Sequence, residues 1–148
     1  MKLEKYTLIA EDSFMVYEFT SSGPKGIIPK IVKFSETNFQ GLYNVAFGDK
    51  DLSTGGLNDL AISNNGDSEK VLATVVEAVY SFTDQFPGSF VYATGSNKAR
   101  TRLYRMGITK YLKEIAKDFE VFGLRNHEWE IFEKGIEYEA FLAKRKKL

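Results

Sequence analysis

The stretch Phe90-Val91-Tyr92-Ala93-Thr94-Gly95-Ser96-Asn97-Lys98-Ala99-Arg100-Thr101-Arg102-Leu103-Tyr104-Arg105 decides the fold class. Phe90 to Thr94 is a short apolar run, which reads as a strand. Gly95-Ser96-Asn97 is turn and cap chemistry. Beyond it, Ala99, Leu103 and Met106 share one helical face. Lys98, Arg102 and Arg105, at i, i+4 and i+7, share another. A strand therefore passes through a glycine turn straight into a helix. Gly107 is expected to break or bend that helix, and Ile108 to Phe119 to continue it with Ile108, Leu112, Ile115 and Phe119 inward.

Upstream, Val71, Leu72, Val75, Val79 and Phe82 recur at helical spacing, so a second amphipathic helix is expected there. Asn64-Asn65-Gly66-Asp67-Ser68 supplies its turn and N-cap, and Pro87-Gly88 its stop. Earlier still the period changes to two. Met15, Tyr17 and Phe19 alternate within Phe14 to Phe19, and Tyr43, Val45 and Phe47 within Leu42 to Phe47. Ser21 to Gly26 reads as the turn after the first of these strands. Ile27 to Phe34 follows, antiparallel to it, with Pro29 placing it at an edge or beside a bulge. Leu57 to Ser63 reads as a short fourth strand. Downstream, Glu120 to Phe122, Trp129 to Phe132 and Tyr138 to Leu142 read as short strands. The basic run Lys144-Arg145-Lys146-Lys147 reads as a frayed, solvated end. The order of strands, helix, strand, helices and strands predicts an α+β fold. Its expected form is a single domain over residues 1–148, with a mostly antiparallel sheet and helices packed on one face.

The 148 residues suffice to bury a core. No apolar run reaches the roughly 20 residues of a membrane helix, and the polar start Met1 to Tyr6 lacks the apolar core of a signal peptide. With no cysteine, disulfides, thiolate metal sites and a cysteine nucleophile are excluded, and a cytoplasmic setting is expected. The twelve Phe, eight Tyr and one Trp fall mostly in candidate strands, where packing is their expected role. That includes Trp129, expected to share a face with Ile131 while Glu128, Glu130 and Phe132 face the other way.

Twenty basic and twenty acidic residues cancel, so the total charge carries no nucleic-acid signature. The distribution is uneven. Gly95 to Lys117 holds seven bases and one acid, and Asp118 to Glu139 seven acids and two bases. A helix start adds unpaired N–H groups and a partial positive charge to the first of these segments. Gly95, Ser96, Asn97, Lys98, Arg102 and Arg105 are therefore the candidate anion-binding residues, with Arg offering a bidentate fork for phosphate. Arg100 lies on a different side of the helix. With Tyr104 at i+4 it forms a candidate stacking pair. No P-loop or Rossmann fingerprint is present. The competing reading is a solvated basic face paired with the acidic segment that follows.

Asp49, Asp51, Asp59, Asn64, Asn65 and Asp67 form an acidic and polar group. Carboxylates at strand ends can hold Mg²⁺ or Ca²⁺, but the spacing matches no such loop, and turn and capping chemistry is the expected role. No metal or cofactor is assigned. His127 is the sole histidine and reads as a surface loop residue.

With these motifs in hand, the chain resembles an uncharacterised bacterial family of unknown function. The resembling stretches include Gly23-Pro24-Lys25-Gly26, Tyr43-Asn44-Val45-Ala46-Phe47-Gly48-Asp49, Asn64-Asn65-Gly66-Asp67 and Gly95-Ser96-Asn97-Lys98-Ala99-Arg100-Thr101-Arg102-Leu103-Tyr104. The resemblance covers most of the chain and brings no activity, substrate or catalytic residue.

Three functional readings follow. The first is a non-catalytic binding module holding a phosphate-bearing ligand or a nucleic-acid backbone. The second is a small metal-independent ribonuclease of toxin type. In it Arg100, Arg102 or Arg105 would stabilise phosphorane charge, and Tyr104, Lys98 or His127 would move protons. The third is a protein–protein module whose acidic and basic faces pair between subunits. No membrane partner is expected, and whether the chain is an enzyme stays open.

Overall fold

Alternating apolar and polar side chains make an eight-residue strand of β2 (Val16–Gly23) and a longer one of β3 (Gly26–Glu36) in the computed structural model, which describes residues 4–58 and 63–146. The other elements are β1 (Ile9–Ala10), β4 (Leu42–Asp49), α1 (Ser68–Gln85), β5 (Phe90–Ala93), α2 (Lys98–Asp118), β6 (Phe119–Arg125), β7 (Glu128–Ile131) and β8 (Ala140–Arg145). The strands hydrogen-bond in the order β1-β2-β3-β4-β5-β8-β6-β7. The β4–β5 pair is parallel, while β1–β2, β2–β3, β5–β8, β6–β8 and β6–β7 are antiparallel. An open, mostly antiparallel eight-stranded sheet with two helices is an α+β fold. No helix among the described residues is long and apolar enough to cross a membrane. The chain divides into two compact units, Met1–Phe34 with Ala46–Gln85, and Ser35–Val45 with Phe86–Leu148.

In the first unit, Tyr17 and Phe19 of β2 are buried beside their partners Val32 and Lys30 of β3. Helix α1 covers this side. Its Phe82 stacks on Phe34 with ring centroids 4.1 Å apart, and the Tyr17 hydroxyl donates to Ser81 Oγ at 3.1 Å. The expected apolar stripe is present, with Val71, Leu72, Val75 and Phe82 buried.

The expected turn at Ser21 to Gly26 is shorter than the residue types suggest. Ser21, Ser22 and Gly23 remain in β2, and only Pro24-Lys25 lies between the paired Gly23 and Gly26. A distant side chain explains this. The buried Asn65 amide donates to Ser21 Oγ at 3.1 Å and to the Gly26 carbonyl at 2.9 Å, and its oxygen accepts from Lys25 N at 2.7 Å. A Cβ at Gly23 would stand 2.1 Å from the Asn65 carbonyl oxygen, so only glycine fits. The Asp67 carboxylate accepts from the hydroxyls of Tyr6 and Ser21. Gly23-Pro24-Lys25-Gly26 and Asn64-Asn65-Gly66-Asp67 thus form one clamp on the β2–β3 hairpin.

Pro29 does not mark an edge strand, because β3 lies between β2 and β4. Its carbonyl accepts from Lys50 N just past the last residue of β4. In a strand the N–H and C=O of one residue point to the same neighbour. The missing donor therefore falls where β4 has ended. Of the expected strand Leu57 to Ser63, Leu57 forms an isolated bridge with Lys50, and its middle, 59–62, lies outside the described residues.

In the second unit, α2 runs unbroken through Gly107, which is buried in its middle. A lone glycine costs a helix only about 1 kcal/mol, less than the packing of its apolar face contributes. Strand register places Val91, Ala93, Phe119, Val121, Gly123 and Phe141 on one side of the sheet. All six are buried, α2 packs against β6 and β8, and its Tyr111 and Ile115 are buried. Tyr138 lies directly over Gly123, where a Cβ would come within 2.4 Å of its ring.

The other side carries Phe90 and Tyr92 of β5, Leu142 of β8, Phe122 and Leu124 of β6, and Trp129 and Ile131 of β7. On that side Phe90, Tyr92, Leu142, Phe122 and Leu124 are half-buried and the two β7 residues are exposed. Trp129 is 43% exposed and Ile131 74%, so Trp129 is not the core residue its type suggests. Its strand is the last in the sheet. The alternation itself holds, since Phe132 on the opposite side is buried.

The basic run at Lys144-Arg145 is not frayed. Both residues belong to β8, which pairs with β5 on one side and β6 on the other. Their long stems lie along the sheet while the charged heads sit over rings, Lys144 above Phe90 and Arg145 above Phe119. Lys147 lies outside the described residues.

Candidate functional site

Helix α2 begins at a built corner. Asn97 is its N-cap, with an extended backbone and a side-chain oxygen that accepts from Arg100 N at 2.9 Å. The Gly95 amide donates to Thr101 Oγ1 at 3.0 Å. A Cβ at Gly95 would lie 2.4 Å from Thr101 N and 2.5 Å from Arg100 Cβ, so the glycine lets the end of β5 press against the first helical turn.

That close approach puts Lys98, Arg102 and Arg105 on the wall of a cleft of about 700 Å³. Thr94, Gly95, Ala99 and Thr101 complete this wall, and Glu137, Tyr138 and Glu139 also line the cleft. Lys98 and Arg102 are exposed and Arg105 is half-buried. Among the described residues, none of the three makes an ion pair or a side-chain hydrogen bond. Glu137 and Glu139 make none either. Thr94 ties the two walls, its hydroxyl donating to the Glu139 carbonyl at 3.0 Å.

Of the six residues expected to bind an anion, Gly95, Lys98, Arg102 and Arg105 line the cleft, and Ser96 and Asn97 do not. Asn97 spends its side-chain acceptor on the cap, and the Gly95 N–H is taken by Thr101. The cleft therefore presents its positive charge mainly through side chains. Arg100 and Tyr104 do not line it either. Arg100 is buried, and the Tyr104 hydroxyl donates to the Val45 carbonyl at 3.3 Å.

Sequence reasoning missed Glu137, Tyr138 and Glu139. They precede β8, and their place opposite α2 follows from the pairing of β8 with β5, which residue types alone do not disclose. The Tyr138 hydroxyl accepts from Glu133 N and donates to Glu130, each at 3.1 Å. Burial pushes its pKa up, and the bond to Glu130 adds to that rise. Glu130 is held below the usual carboxylate range by the hydrogen bond from Arg125 at 2.7 Å. Glu130 is thus partnered within its own hairpin, while Glu137 and Glu139 share the cleft with the basic face of α2.

The other candidates have structural partners. Asp49 accepts from the buried Lys30 and from Ser63. Asp51 closes its own loop by accepting from Ser53 N and Oγ. Asn65 and Asp67 form the hairpin clamp, and Asp59 lies outside the described residues. Among the described residues, no group of three or more His, Asp or Glu side chains could hold a metal ion. His127 stands exposed in the two-residue turn between β6 and β7, where it and Asn126 adopt φ values of 64° and 53°.

No curated protein and no solved structure matches the chain. A family model matches it over residues 2–146. That match spans nearly the whole sequence and shows that the chain belongs to the Family of unknown function (DUF6934).

Proposed function

We propose that this chain is a non-catalytic binding module of the bacterial cytoplasm whose cleft at the start of α2 takes a phosphate-bearing ligand. One observation carries the reading: Lys98, Arg102 and Arg105 line one concavity without an internal carboxylate partner. A phosphate competes with water for these groups by accepting two parallel N–H bonds from each arginine fork. The concave wall lowers the local dielectric, so each such pair is stronger than on an open helix face. Glu137 and Glu139 bound the anion's position, favouring a ligand that has phosphate at one end and hydrogen-bond donors at the other.

The ribonuclease reading gains no comparable support. His127 is not among the cleft-lining residues, and the Tyr104 hydroxyl is held by Val45.

The test is binding of inorganic pyrophosphate and of a short single-stranded RNA to the wild type and to Arg102→Ala/Arg105→Ala. Three phosphate contacts on a single strand give a log–log salt slope of about −2, or roughly a twentyfold loss of affinity between about 50 and about 200 mM salt. The double variant should keep about a third of that slope. Equal, salt-insensitive retention of both ligands by both proteins would overturn the reading.

A further inference from the structure

The aromatic side of the second unit's sheet, open at Trp129 and Ile131, is a second surface, and we infer that it stacks the bases of a single-stranded nucleic acid whose phosphates lie in the cleft. This rests on the cleft reading and names its ligand class. Two groups of residues carry it together. Phe90, Tyr92, Phe122 and Trp129 stand on one side of β5, β6 and β7, opposite the side that α2 packs against. Tyr92 and Trp129 approach each other edge to face, with ring centroids 6.1 Å apart, across the two strands that separate theirs. Trp129 nonetheless remains 43% exposed.

The second group is the cationic wall. Thr94, two residues beyond Tyr92, already lines the cleft with Lys98 and Arg102. Thr94 directly follows the last residue of β5, so one extended polynucleotide passing over the end of that strand reaches both groups. Rings on one side of the sheet and unpaired cations past the end of β5 meet the two chemical demands of a single strand, flat apolar bases and a charged backbone. A protein partner docking on the rings alone would leave the three cations without a role. Lys144, on the same side and 4.7 Å above the Phe90 ring, adds a fourth positive charge, with Glu120 as its cross-strand neighbour.

The sole tryptophan reports directly on this surface. Titrating the wild type with uridine-only and cytidine-only single-stranded RNA should quench Trp129 fluorescence, and a duplex of the same length should not. Tyr92→Leu keeps an apolar side chain yet should weaken binding about tenfold, the weight of one stacked base, with the salt slope unchanged. Arg102→Ala/Arg105→Ala should instead flatten the slope and keep the quenching at low salt. Salt-dependent binding lost in the arginine variant but without quenching, and unaffected by Tyr92→Leu, would overturn the stacking surface and leave the cleft standing. So would binding of pyrophosphate without any binding of RNA. Concentration-dependent self-association abolished by Trp129→Leu, with no RNA quenching, would assign the face to a second copy and overturn the inference as well. Loss of all anion binding would overturn both.

Discussion

Replacing Asp49 by alanine should destabilise the protein far more than removing a surface charge. Lys30 lies in the interior of its unit, with a side chain only 2% exposed. Its ammonium donates to the Asp49 carboxylate and to the Ser63 carbonyl. Asp49→Ala leaves that ammonium with one neutral acceptor. Breaking a buried pair from one side costs about 3–5 kcal/mol, a large share of the roughly 5–15 kcal/mol that holds a domain folded. For a chain of this size that lowers the melting temperature by roughly 6–20 °C. The reverse change is milder. Lys30→Met leaves Asp49 with the Ser63 N–H and hydroxyl as donors and a side chain 14% exposed, so about 1–3 kcal/mol should be lost. The double variant Lys30→Met/Asp49→Leu should recover most of the deficit, because two well-packed apolar groups need no partner. Urea unfolding of the four proteins, followed by far-ultraviolet circular dichroism, compares their stabilities directly. A loss below about 1 kcal/mol for Asp49→Ala, or a double variant no more stable than that single variant, would refute the argument.

The same pair sets a pH dependence. Burial pushes the Asp49 pKa up, but its hydrogen bonds with Lys30 and Ser63 and the Lys30 charge outweigh this, so the net shift is downward. Its contribution to stability is then fully present above the unfolded-state value, about 3.9. It is lost as pH falls through the lower folded value. Wild type should therefore lose more stability between about pH 5 and about pH 2 than the double variant does. Asn65→Asp should cost about 2–4 kcal/mol in chemical unfolding, because the carboxylate cannot donate to Ser21 Oγ or to the Gly26 carbonyl. Retained stability would show that the hairpin does not depend on the clamp. Gly95→Ala puts a methyl group 2.4 Å from Thr101 N. It should cost about 1–3 kcal/mol in a thermal melt, and an unchanged melt would mean that the corner can open freely.

Much of this architecture is written locally. The period-two alternation at Tyr17 and Phe19, and the stripe from Val71 to Phe82, each specify an element whose buried side the structure reproduces. The errors come where distant segments decide. Ser21 and Ser22 look like turn residues, and only the reach of Asn65, more than forty positions away, explains why Ser21 is inside a strand. Lys144 and Arg145 look solvated because charge density was weighed without the apolar length of their stems, which lie along Phe90 and Phe119. For the cleft, the cationic wall is legible because it is one helix face. Glu137 and Glu139 are not, since antiparallel pairing across β8 brings them in. The open aromatic side escaped notice for a related reason. Tyr92 and Trp129 are each plausible core residues, and only the register shows which side their strands present.

The position of β8 also dictates an order of events on the ribosome. This strand follows β5, β6 and β7 in sequence, yet it lies between β5 and β6 in the sheet. When β6 and β7 emerge they can form their hairpin, but no strand yet pairs it with β5. Two raw strand edges face one another across a gap until the nascent chain delivers Ala140–Arg145. Pairings between such distant positions close slowly, and unfilled edges recruit foreign strands. The second unit should therefore depend most on holdase chaperones in the interval between the emergence of β7 and that of β8, after α1 has already had time to settle.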